Sequence, residues 1–178
     1  LLTDKEEIGS MGATGMQSSF FEDMVAEVLA LTGEDSSVKV RRVLRNSCML
    51  SSDVSAAYDP LYLEVFEKKN TAYFGRGLVL NKYTGSRGKN GTSDANAEYV
   101  AKVRNVFDNN HVAFQTAELG KVDQGGGGTI AYVMANKAMS VIDSGVAVLS
   151  MHAPYEVTSK SDIYEVYRGY KAFLKDMK

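Results

Sequence analysis

One cysteine, two prolines, two histidines and no tryptophan stand in a chain of 178 residues, and each scarcity excludes something. The lone Cys48 forbids an internal disulfide and fits a reducing compartment, the cytoplasm; in its apolar setting, "CMLSSDV", it is expected to be a small buried hydrophobe. No uninterrupted apolar run approaches the roughly 20 residues that span a bilayer, so a soluble protein without a membrane partner is expected. Neither charge sign dominates. With 20 basic and 22 acidic residues, net −2 and scattered, nothing in the electrostatics calls for a nucleic acid or an anionic surface. The length suits a single domain, 1–178, with a substantial core. The first residue is Leu1, inside an apolar run, which reads as a chain cut within an element.

What is present is a succession of alternating elements without an internal repeat. Leu1 to Ile8 reads as a strand entering a loop. Ser19 and Glu22 have capping-box spacing, and Phe20, Phe21, Met24, Val25, Val28 and Leu29 recur at helical intervals, so a helix is expected to about Thr32 with Gly33 as its stop. Val38 to Arg45 suits a second helix, and 48–54 a short strand ending at an aspartate. From Ser55 to Arg76 the pattern is irregular and predicts a long covering loop. "GLVLNKY" (77–83) is strand-like, whereas "TGSRGKNGTSD" is turn chemistry, in which Asn90-Gly91-Thr92 is better read as a turn than as a glycosylation acceptor. A helix follows around Tyr99, Val103, Val106 and Phe107, then a strand at 111–117. Beyond the "GGGG" run, Ile130, Val133, Met134 and Ala138 mark a helix; "VAVLSMH" (146–152) is a strand that ends at a histidine; Ile163, Val166, Tyr167, Tyr170, Phe173 and Leu174 mark a closing amphipathic helix. Strands separated by helices predict an α/β fold, a sheet with helices on both faces, in which ligands sit beyond the carboxyl ends of strands.

Four such ends carry residues that a metal ion uses: Glu6 and Glu7 after the first strand, Asp53 after the second and His152 after the last. Adjacent glutamates have a specific use in metal-assisted hydrolysis. One carboxylate binds the ion, while the other stays off it, takes a proton from the attacking water and passes it to the leaving amine. Two like charges so close repel unless a dication neutralises them.

"DKEEIGSMGATGMQSSFF", "SSDVSAAYDP", "GGGGTIA" and "SMHAPYEV" together resemble, in order and over essentially the whole chain, the motifs of the M18 family of metallo-aminopeptidases, the aspartyl-aminopeptidase and aminopeptidase I group, and most closely its bacterial branch. The resemblance implies a three-layer α/β/α sandwich with a mixed sheet, of zinc-peptidase type and incomplete on its amino-terminal side. It also implies hydrolysis of amino-terminal residues from short peptides by two Zn2+ ions, with other divalent metals as substitutes, in a homo-oligomer that is a dodecamer in characterised relatives. Carried onto this sequence, Glu6 matches the general base and Glu7 a terminal ligand of one zinc. Asp53 matches the carboxylate ligand of the other, and His152 shares a metal with Glu7. Gly125 to Gly128, with Gly126 and Gly127 at the centre and Thr129 following, resemble the loop lining the substrate cleft. Asp123 is assigned to the substrate's free amine. The family includes enzymes for acidic and for neutral amino-terminal residues; Lys82 and Arg87, after the long loop, are candidates to pair with an acidic substrate side chain.

The family also uses a histidine and a bridging aspartate upstream of the paired glutamates, and its inserted subdomain is missing here. Only His111 and His152 occur, and His111, in "DNNHVAF", suits the start of a buried strand rather than a ligand. The chain is therefore expected to be the carboxyl-terminal portion of a larger catalytic domain, inactive by itself. Two other readings compete. "GKVDQGGGGT" ahead of a helix is a possible phosphate cradle, although its lysine precedes the glycines and no Gly-x-x-x-x-Gly-Lys-Ser/Thr spacing occurs. The other is a non-catalytic assembly or binding module that retains the peptidase fold.

Overall fold

The computed structural model describes residues 1–178 except 35, 87–89, 122, 125 and 178. In chain order the elements are a 3-10 turn (Glu6–Ile8), helices α1 (Phe20–Leu31) and α2 (Ser37–Arg45), strands β1 (Cys48–Ser52) and β2 (Ser55–Ala56), and a second 3-10 turn (Leu63–Val65). Then come β3 (Leu78–Asn81), β4 (Tyr83–Ser86), β5 (Asn90–Asp94), α3 (Ala97–Asn109), β6 (Phe114–Ala117), α4 (Ala131–Ala135), β7 (Ser140–Gly145), β8 (Ala147–Leu149), β9 (Val157–Thr158) and α5 (Lys160–Asp176). This is the expected α/β architecture with a mixed sheet. It divides into two compact units, Leu1–Met49 with Ile130–Ser140, and Leu50–Thr129 with Val141–Lys178.

In the first unit α1 packs on α2. Phe21, Val25 and Leu29, four residues apart, form the half-buried face of α1, while Phe20, Met24, Val28 and Leu31 are exposed. The helix stops as expected: the Thr32 N–H and hydroxyl both donate to the Leu29 carbonyl, at 2.9 and 2.7 Å, and Gly33 follows at φ 80°. Its start differs. Ser19 already has helical dihedrals (φ −75°, ψ −6°), so its hydroxyl donates to Asp23 Oδ2 at 2.9 Å instead of capping the backbone. Ser36, extended at φ −157°, does cap α2, accepting from the Lys39 N–H at 3.2 Å. Cys48, at the open start of β1, is exposed rather than buried.

The second unit holds the sheet β1-β7-β3-β6, with β3 parallel to β6 and antiparallel to β7, and the smaller sheet β2-β8-β9. Side chains alternate along a strand, and β3 uses both faces. Leu78 and Leu80 join Ile142, Tyr99, Val103 and Phe107 of α3, and Ala172 of α5 in the main core; Val79 on the reverse face meets Ala57, Ala72, Ala117 and Ala147. Those small residues let the β2–β8 layer come close. Gly169 of α5 lies over β3, where a Cβ would stand 2.7 Å from Leu78 Cδ1.

Several expectations shift. "TGSRGKNGTSD" is mostly hairpin: β4 and β5 pair through Tyr83↔Asp94 and Ser86↔Asn90, so Asn90-Gly91 opens a strand. Polar, glycine-rich sequence hid this pairing because the contacts are backbone to backbone. His111 is exposed in a left-handed conformation (φ 53°) at the end of α3, not the start of a buried strand. Along α5, Ile163, Tyr167 and Leu174 face out, and the inward stripe is Asp162, Val166, Gly169, Tyr170, Ala172 and Phe173. The sequence pattern assigns no element to Ser140–Gly145, which is a strand buried at five of its six positions and separated from β8 by a single residue.

Candidate metal centre

In the first unit the paired glutamates do not follow a strand. Asp4 makes a single bridge to Gly15, Lys5 turns left-handed (φ 61°), and Glu6 to Ile8 form one 3-10 turn. Three N–H donors close it: Ile8 and Ser10 to the Lys5 carbonyl at 3.2 and 2.8 Å, and Gly9 to that of Glu6 at 3.1 Å. The glycine-rich stretch then wraps the turn. A Cβ on Gly15 would stand 2.2 Å from the Ser10 carbonyl oxygen, so only glycine admits this approach. Gln17 donates to the Gly9 carbonyl at 2.7 Å, and Lys5 Nζ donates to Thr14 Oγ1 at 2.7 Å, whose hydroxyl reaches Asp4 Oδ1 at 2.8 Å. With three residues per turn, adjacent side chains leave a 3-10 helix about 120° apart. Glu6 is accordingly half-buried and Glu7 exposed, so the two carboxylates face different surroundings. A cavity of about 360 Å³ in this unit is lined by Leu1, Leu2, Asp4, Thr14, Phe20 and Phe21, among others, and by neither glutamate.

In the second unit Asp53 follows β1 directly. Its N–H reaches the Ser144 carbonyl at 3.4 Å, and its Oδ1 accepts from the Val54 N–H at 2.7 Å. Gly145 makes this crossing possible, since a Cβ there would fall 1.6 Å from the Asp53 carbonyl oxygen. His152 lies in the link between β8 and β9, exposed, with Ser150 (φ 58°) and His152 (φ 66°) both left-handed. The Ala153 N–H donates to the Ser150 carbonyl at 3.0 Å, and the His152 N–H to Glu156 Oε1 at 2.6 Å.

Sequence reasoning missed Asp143, whose signal is an acid set between "VI" and "SG" in an apolar stretch. It is 2 % exposed in β7. Its Oδ2 accepts from Thr129 at 2.9 Å and lies 3.4 Å from the Thr84 hydroxyl, while its Oδ1 has no hydrogen-bond partner among the described residues. Burial pushes its pKa up to about 7; the Thr129 hydrogen bond opposes that rise and the nearby Asp53 charge adds to it. Tyr170, also pushed up by burial, donates to the Ser144 carbonyl at 2.5 Å, and its hydroxyl oxygen lies 2.8 Å from Ser52 Oγ.

Thr129 therefore ends the glycine-rich loop as a buried anchor. Gly126 (φ 88°) and Gly127 run against the hairpin: the Gly85 N–H donates to the Gly127 carbonyl at 3.2 Å, and a Cβ on Gly128 would stand 3.4 Å from the Asn90 carbonyl oxygen. Asp123 (φ 65°) is exposed at the other end of this loop. Lys82 forms a surface ion pair with Asp94 across the hairpin. Arg87 and Gly125 lie outside the described residues.

A family model described as aminopeptidase I zinc metalloprotease (M18) matches residues 1–174. The chain belongs to the M18 peptidase family. A probable M18 family aminopeptidase 1 of Clostridium acetobutylicum is 61% identical over 176 residues, covering 99% of this chain and 38% of the relative. The chain thus spans well under half the length of that curated relative. The crystal structure of an M18-family aminopeptidase from Thermotoga maritima superposes with a TM-score of 0.92 at 46% identity, over 97% of this chain and 38% of that one. The S. cerevisiae mApe1 dodecamer superposes with a TM-score of 0.74 at 25% identity, over 98% and 37%.

Within this M18 chain the donor chemistry suits zinc, which takes imidazole and carboxylate ligands. The set is partial. Among the described residues no three His, Cys, Asp or Glu side chains are gathered to hold an ion. Also among them, no helix is long and apolar enough to cross a membrane.

Proposed function

We propose that this M18 chain serves in a metallo-aminopeptidase that removes amino-terminal residues from short peptides. Glu6 takes the proton of the attacking water and delivers it to the departing amine; Glu7, Asp53 and His152 act as metal ligands, completed by donors from outside these 178 residues. Two zinc ions are proposed for the whole site, and other divalent metals can substitute. When bound, zinc polarises the scissile carbonyl and makes its water acidic near neutral pH. The remaining work belongs to side chains and backbone. Gly126 and Gly127 line the cleft with peptide groups, Thr129 anchors them, Asp123 receives the substrate's free amine, and Lys82 meets its side chain. The supporting observation is the 3-10 turn that leaves Glu6 half-buried and Glu7 exposed, in keeping with one carboxylate on a metal and one on a proton. A homo-oligomer in the cytoplasm completes the proposal.

The test uses the intact polypeptide: hydrolysis of aminoacyl substrates is measured before and after chelation, with metal analysis of the same sample. Glu6→Gln should lower kcat by a factor of about 10² to 10⁴, the usual worth of a general base, while leaving the bound metal in place. A Glu6→Gln protein as active as its parent would overturn the role of Glu6. An intact polypeptide that neither holds metal nor cleaves peptides would favour a non-catalytic module.

A further inference from the structure

The link between β8 and β9 places two residues in an unfavourable conformation and ties one of them down with a carboxylate. Pairing of Leu149 with Val157 and of Val148 with Thr158 sets the hairpin register, so Ser150 and Glu156 flank its open end. From there the Glu156 side chain reaches back over the link, and its Oε1 accepts the His152 N–H at 2.6 Å. His152 sits at φ 66° and Ser150 at φ 58°, a region that residues with a Cβ enter only when their surroundings hold them there. A charge-assisted hydrogen bond of this length is a strong restraint on that backbone.

We infer that Glu156 is a positioning residue: by binding the backbone N–H of His152 it holds that residue left-handed and so aims the imidazole. The inference rests on the reading of His152 as a metal ligand, and it concerns what holds that ligand in place. Glu156 is suited to this because it directly precedes Val157, and the strand pairing fixes its Cα.

The experiment compares Glu156→Ala, Glu156→Gln and His152→Ala in the intact polypeptide. Zinc retention is read by competition with a chromophoric chelator, and folding by thermal unfolding of the metal-free protein. Glu156→Ala should weaken retention of one zinc equivalent about 10- to 100-fold, as loss of an outer support of a metal ligand does. Glu156→Gln, which keeps an oxygen acceptor at the same reach, should stay within about threefold of the parent. A merely structural role would lower the unfolding midpoint of the metal-free Glu156→Ala protein without this separation from Glu156→Gln. If His152→Ala loses a zinc equivalent while Glu156→Ala retains it, or if Glu156→Gln is as deficient as Glu156→Ala, the inference is wrong. If His152→Ala retains its full zinc, the ligand assignment itself fails, and the inference with it.

Discussion

Asp143 must enter the sheet either as an anion or as an acid, and its surroundings decide which. Burial disfavours its charged form by more than the Thr129 hydrogen bond favours it, and the nearby Asp53 charge adds to the rise, so the carboxyl keeps its proton up to about pH 7 against an ordinary value of 3.8. A folded state that holds a proton more tightly than the unfolded chain loses stability as pH rises between those two values. Asp143 therefore contributes fully below about pH 4, progressively less up to about pH 7, and nothing further above it. The whole span is about 4 kcal/mol at most, at 1.36 kcal/mol per pH unit. Asp143→Asn keeps an oxygen for Thr129 but has no proton to lose. Urea-unfolding midpoints of the metal-free intact polypeptide should fall from pH 5 to 7.5 in the parent and fall distinctly less in Asp143→Asn. Parallel curves would show that Asp143 does not titrate in this range.

At the scale of elements, the long stretch from β2 to β3 is held down from a distance. Asp162, near the start of α5 and 1 % exposed, accepts the Gly75 N–H at 2.8 Å and the Gly77 N–H at 2.9 Å with its two oxygens. Gly77 is irreplaceable here, left-handed at φ 85° and with a hypothetical Cβ only 2.1 Å from the Ala113 carbonyl oxygen. One side chain thus couples the entry of β3 to α5. The same stretch is stapled within itself by Tyr58, whose ring meets Phe66 at 5.8 Å and Tyr73 at 5.3 Å. Removing the carboxylate by Asp162→Ala leaves two N–H groups without their acceptor, at about 1.5 to 3 kcal/mol for each charged hydrogen bond. We expect Asp162→Ala to lower unfolding free energy by about 3 kcal/mol or more, and Asp162→Asn by less. An unchanged urea midpoint in Asp162→Ala would show that the stretch is anchored elsewhere.

At the scale of the whole molecule, the chain corresponds to 38% of the length of a curated M18 relative. The stripe Phe20, Met24, Val28 and Leu31 on α1 is exposed, as are Leu1 and Leu2, and exposed apolar patches mark interaction surfaces. The intact polypeptide should run as a homo-oligomer in light scattering at micromolar concentration, and a strictly monomeric, fully active enzyme would contradict that assembly.

Helix periodicity and the order of motifs were legible in the chain itself because they rest on local spacing. α1, α2, α3 and α5, the aspartate closing β1 and membership of the M18 family all follow from neighbours within a few residues of one another. What the folded molecule alone decided depends on residues distant in sequence. The glutamate pair rides a 3-10 turn because Gly15 and Gln17 fold back on it, the β4–β5 hairpin forms from backbone contacts that polar sequence does not advertise, and Cys48 is exposed by its place at a strand's start. Asp143 joins Thr84 and Thr129 only once β7 lies at the centre of the sheet. Burial, and the proton it retains, is a property of that neighbourhood and of no local pattern.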